Sequence, residues 1–160
     1  MKPNYVPLSE IGDGDFVLVN WPYDRSVGIK GTVNESPAVM VLVSQLDNVP
    51  GPFTIVDTDG EFSAVTFGND WKFDFDPLSA DFEGMQRPNL GTLTITDRGP
   101  AVNGHNREMS RHAINKSGEF TRSGGAGPVV EEWRIVIESA TGEYWELFRW
   151  PVPQEQDQAI

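Results

Sequence analysis

The sequence predicts an all-β fold, a small barrel or sandwich of about eight mostly antiparallel strands. Three observations carry this. Apolar residues cluster in short runs rich in Val, Ile, Phe and Trp, the types that suit a pleated sheet. The runs are punctuated by a chain containing 16 Gly and 12 Pro, residues that set turns. Helical periodicity is almost absent, with Asn106 to Lys116 the single candidate through Met109, His112 and Ala113.

In chain order, Asp15–Val19 is apolar and β-branched and follows the turn-forming Gly12-Asp13-Gly14. Val27 to Val33 alternates, placing Val27, Ile29, Gly31 and Val33 on one face. Val39 to Val43 is continuously apolar, as expected of a central strand buried on both faces. Pro50-Gly51-Pro52 forces a turn. Phe53–Asp57 and Glu61–Phe67 flank Thr58-Asp59-Gly60, which predicts a hairpin because Asp-Gly favours the positive φ of tight turns. Asp70 to Asp76 alternates, with Trp71, Phe73 and Phe75 opposite Lys72, Asp74 and Asp76. Gly91–Thr96 is a further strand. Residues 97–127 read as a long irregular loop. Val129–Ile137 and Glu143–Trp150 form the last hairpin, with either Trp133 opposite Phe148 or Ile135 opposite Leu147, two registers that differ in which faces meet. Pro151 and Pro153 end the sheet. One domain spans 1–160, with a subdivision near 77–88 between an N-terminal barrel and a C-terminal hairpin sheet as the alternative.

Gly14-Asp15-Phe16-Val17-Leu18-Val19, a polar loop, Gly28-Ile29-Lys30-Gly31-Thr32-Val33 and an apolar third strand resemble the opening of an SH3-like small β-barrel, including the KOW type. The resemblance covers residues 12–43. It implies a fold that binds peptides, proteins or nucleic acid, although Arg25 and Lys30 are the only cations there. It assigns no functional residues.

Charge supplies the functional signal. The chain of 160 residues carries a net charge of −12. Residues 1–86 contribute −10 and residues 128–160 contribute −5, whereas 87–127 are net +3. Such acidity argues against nucleic acid and anionic membranes as partners, because phosphate contacts depend on cations. The chain has no cysteine, which excludes disulfides and thiolate chemistry. The N-terminus lacks the apolar core of a signal peptide, and the longest apolar run, Ala38–Val43, is too short to span a bilayer, so a soluble, cytoplasmic protein is expected.

Two residue groups are candidates for binding. Arg98, Arg107, Arg111 and Arg122, with His105, His112 and Lys116, surround a glycine run at 124–127. Guanidinium forks and glycine-flanked amides suit a nucleotide or another phosphate. A solvated loop whose cations offset the acidic body is the plainer alternative. The second group is Asp70, Asp74, Asp76, Asp81 and Glu83, with Trp21 and Tyr23 in a loop, which suits a basic protein partner.

Asp57, Asp59 and Glu61 do not make a calcium loop, because Phe62 stands at the glycine position and Gly68 at the glutamate position. No nucleophile elbow, zinc-protease motif or Walker loop is present, and two histidines seven apart are a poor metal signature. The expectation is a non-enzymatic binding protein without cofactor, metal or catalytic residues. Its leading role is a protein-binding or inhibitory module of immunity or anti-defence type. The alternative is a binder of an anionic small molecule. Spare aromatics and long edge strands also suit a homo-oligomer.

Overall fold

A computed structural model describes residues 4–21, 24–44, 51–82, 88–106, 110–122 and 127–153. Among these, fourteen strands form two sheets. They are β1 (Asn4–Pro7), β2 (Phe16–Trp21), β3 (Asp24–Val33), β4 (Ser36–Ser44), β5 (Phe53–Val56), β6 (Ser63–Thr66) and β7 (Trp71–Asp74), then β8 (Leu93–Thr96), β9 (Gly99–His105), β10 (Arg111–Asn115), β11 (Phe120–Arg122), β12 (Val129–Val130), β13 (Trp133–Glu138) and β14 (Tyr144–Trp150). Two single 3-10 turns cover Leu8–Glu10 and Pro77–Ser79. The all-β expectation holds, but the strands exceed eight and neither sheet closes into a barrel.

The larger sheet runs β1-β6-β2-β3-β4-β5-β9-β10-β11, with β8 on β9 and β12 on β8. The smaller runs β14-β13-β7. The strands β2, β3, β4 and β5 form an antiparallel meander, and β6 returns to pair with β2. The expected hairpin across Thr58-Asp59-Gly60 is therefore absent: both of its arms are strands, but β5 pairs β4 while β6 pairs β1 and β2. The reason lies in the connection. Asp57, buried at its end, accepts hydrogen bonds from the Glu61 and Phe62 amides. Its carboxylate thus satisfies backbone that a hairpin ladder would otherwise pair, and the chain is free to cross to the other side of the meander.

The apolar run of β4 is buried on both faces, as its sequence predicts. Met40 and Leu42 join Phe16, Ile29, Leu93, Val102 and Ile114 in a core shared with Trp71, Trp133, Ile135 and Phe148 of the smaller sheet. Val39 and Val41 join Leu8, Ile11, Val17, Val19, Phe53 and Ala64 in a second core on the opposite face. Close packing of β3 on β4 depends on Gly28, where a Cβ would lie 2.2 Å from the Met40 carbonyl oxygen.

The segment 97–127 is not an irregular loop. It contains β9, β10 and β11, and Arg111–Asn115 is a strand where the sequence suggests a helix. Alternation was hidden because one face of this unit is small and polar. Thr94, Ala101 and Asn115 stand in register across β8, β9 and β10, with Asn103, Ala113 and Thr121 beside them. All of these but the exposed Thr121 are buried without apolar bulk: the Asn103 amide donates to the Thr92 carbonyl and to the Thr92 and Thr94 hydroxyls. Hydrogen bonding replaces hydrophobic burial, so the apolar pattern that marks a strand is missing.

The C-terminal hairpin takes neither expected register. Trp133 faces Trp150 and Ile135 faces Phe148, with a bulge after Ile135 that leaves Leu147 as the extra residue. The bulge re-aims β14, so that Phe148 enters the core opposite Ile135 while Trp145, three residues earlier and opposite Ile137, is exposed.

Candidate functional site

The smaller sheet places an ordered set of charges on its outer face. Asp74 of β7 stands opposite Arg134 of β13, which stands opposite Arg149 of β14. Directly opposed residues share a face, so these three side chains meet. Arg134 Nε donates to Asp74 Oδ2 at 2.6 Å, and Arg149 Nη2 donates to Glu146 Oε1 at 2.6 Å. Arg134 Nη1 lies 3.7 Å from the same Glu146 oxygen. The hydrogen bond from Arg149 to Glu146, reinforced by the opposite charge, raises the guanidinium further above its ordinary value.

At the end of this ladder lies a cleft of about 490 Å3. Asp74, Asp76, Glu132, Arg134 and Arg149 provide its charges, and Phe75, Trp133 and Trp150 its rings. Trp133 is held by donation from Nε1 to the Gly91 carbonyl at 2.7 Å. Asp76 caps the Pro77–Ser79 turn by accepting from the Leu78 amide. Neither Asp76 nor Glu132 is in an ion pair among the described residues. Leu78, whose amide Asp76 caps, is 94% exposed.

The structure brings some expected acidic residues together and separates others. Asp74 and Asp76 line this one cleft, but Asp74 is already neutralised by Arg134. Asp70 is exposed and Asp81 exchanges backbone hydrogen bonds with Val129; neither lines the cleft. Trp21 ends β2 with its side chain outside the described residues, as are Tyr23 and Glu83. Glu132, Arg149 and Trp150 were not singled out from sequence. Their alternation was visible, but the bulge that sets which of them meet was not.

The expected anion clamp is likewise divided. Arg98 and Arg122 line a second cleft of about 350 Å3 with Thr96, Asp97, Ala101, Asn115 and Thr121. Arg111 is instead committed to the Pro88 carbonyl at 2.7 Å, and Arg107 lies outside the described residues. Lys116 donates to the Asn69 carbonyl and sits over the Trp71 ring. His105 is buried against the Phe53 ring, and His112 is bonded through Nε2 to the Thr54 hydroxyl. Burial pushes the His112 imidazole below its ordinary value, and the neighbouring His105 adds to the effect. Both histidines are thus packed and hydrogen-bonded, with His112 opposite Arg122 of β11 in the sheet. No group of three or more metal-ligating side chains occurs among the described residues.

Comparison with known proteins finds no matching family model, no curated relative and no similar solved structure. Among the described residues, no helix is long and apolar enough to cross a membrane.

Proposed function

We propose that this chain is a non-enzymatic acidic binding protein, a protein-binding or inhibitory module that engages a basic partner. The observation that carries the reading is the cleft at Asp76 and Glu132. Two carboxylates without an ion-pair partner among the described residues line it together with Phe75 and Trp150, and Leu78, capped by Asp76, is exposed. A lysine or arginine of the partner finds there both countercharge and an aromatic face, while an apolar neighbour finds Leu78. Arg134 and Arg149 do not oppose this, because Asp74 and Glu146 already balance them.

The net charge of −12 supports the same reading, since it accelerates encounter with a cationic surface and repels acidic competitors. The resemblance of residues 12–43, which contain β2, β3 and most of β4, to the opening of SH3-like barrels goes with the same role in binding. Inhibitors of immunity or anti-defence type are the class that this size and charge suit.

The test is capture of partners from the source cell on the immobilised protein. The proposal expects basic proteins, eluted by moderate salt and lost when Asp76→Asn and Glu132→Gln are combined. Capture that persists at high salt, or that the double variant retains, refutes the cleft as the contact.

A further inference from the structure

The second cleft shares no lining residue with the first, and its chemistry points elsewhere. Its floor is Ala101 and Asn115, both buried, and its walls carry the Thr96 and Thr121 hydroxyls. Arg98 and Arg122 line its rim. Arg98 is fixed by Nη1 donating to Glu119 Oε2 at 2.8 Å, and Glu119 is in turn held by the Asn115 side-chain amide. Asn115 Oδ1 accepts from the Ser117 and Glu119 amides, so the whole 115–119 turn is tied to the floor of the cleft. Arg122 is exposed and in no ion pair among the described residues.

Asp97 makes the site selective. A carboxylate at the rim repels a bare phosphate, yet it accepts hydrogen bonds from hydroxyl groups, as acidic residues do from ribose. A ligand that satisfies the guanidinium forks and Asp97 together carries an oxyanion at one end and hydroxyls at the other. The cleft volume lies within the range of small-molecule sites. We propose that this cleft binds a hydroxylated phosphate monoester, a sugar phosphate either free or as the ribose phosphate of a nucleotide. Arg122 and Arg98 take the phosphate, and Asp97 takes the sugar hydroxyls.

The test is thermal stabilisation of the full chain by inorganic phosphate, ribose, ribose 5-phosphate and adenosine 5′-monophosphate at low ionic strength. The proposal expects saturable stabilisation by ribose 5-phosphate, with affinity about tenfold above that for inorganic phosphate and no response to ribose. Adenosine 5′-monophosphate binding more tightly than ribose 5-phosphate identifies a nucleotide as the source, and the reverse identifies a free sugar phosphate. Arg122→Gln weakens both phosphate esters about tenfold, at an exposed site where folding is unaffected. Asp97→Asn weakens the ester but strengthens inorganic phosphate, a reversal that a generic cationic patch does not produce. The proposal is overturned if none of the four probes stabilises the chain, if phosphate binds as tightly as the esters, or if Arg122→Gln leaves binding unchanged.

Discussion

Gly91→Ala is expected to be among the most damaging single-methyl additions in the protein, for a reason that can be separated into two parts. Gly91 has φ +89, where an L-residue is strained by about 1–2 kcal/mol. Its added Cβ would stand 1.8 Å from Trp150 Cζ2 and 2.0 Å from Cε2. Carbon atoms settle at about 3.5–4.0 Å, so the indole must retreat by roughly 2 Å. The glycine cannot move instead, because its amide donates to the Asn103 carbonyl and its own carbonyl accepts from Trp133 Nε1. Exposing about 80 Å2 of Trp150 and its neighbours costs about 2 kcal/mol at 25 cal/mol per Å2. The total is about 3–4 kcal/mol. Gly99→Ala isolates the backbone part, since Gly99 has φ +97 and nothing within 4 Å of its added Cβ. Urea unfolding followed by far-UV circular dichroism is expected to place Gly91→Ala about 2 kcal/mol below Gly99→Ala. In a Trp150→Ala background the gap is expected to close. Equal losses in the two glycine variants refute the argument that Trp150 is seated on Gly91. Because Trp150 also walls the acidic cleft, Gly91→Ala is expected to weaken capture of a basic partner.

Two further expectations rest on single side chains. His112 is lowered by burial and by His105, and among the described residues it faces Arg122, Thr54 and the Phe120 ring with no carboxylate paired to it. The unfolded chain therefore takes up this proton first, so stability is fully present above the ordinary imidazole value of 6.5 and falls as pH drops from there toward the folded value. Urea midpoints measured across this window are expected to decline in the native chain and to flatten in His112→Gln, and an unchanged slope refutes the assignment. Asp57→Ala orphans the Glu61 and Phe62 amides and is expected to cost about 2 kcal/mol, from two hydrogen bonds at about 1 kcal/mol each, with Asp57→Asn recovering part of it; a loss below about 0.5 kcal/mol argues against the carboxylate as the organiser of the crossing.

Legibility in the sequence followed the range of the interactions. Strands with an apolar face were read correctly because period-two alternation is local: β2, β4, β7 and β13 all lie where their Val, Phe and Trp patterns put them. The strands β9 to β11 were not, because Ala101, Asn103 and Ala113 are buried through fit and hydrogen bonds and β11 carries exposed polar residues. The charge asymmetry grouped residues that the fold distributes over two clefts. It named Asp74 and Asp76 for one and Arg98 and Arg122 for the other. It also grouped Arg111, His105 and His112 with the clamp, although Arg111 turns to the Pro88 carbonyl and the histidines pack on Phe53 and Thr54.

By itself, the sequence determined the all-β class, the doubly buried β4 and the separation of an acidic body from a basic segment. Only the tertiary structure decided which strands pair, where the bulge at Leu147 falls and which charges are spent on one another. The physical reason is that a strand's pattern specifies which of its faces is buried but not against what. Partner choice is set by long-range packing, and a single capped loop such as Asp57 to Phe62 is enough to send a would-be hairpin to opposite sides of a sheet.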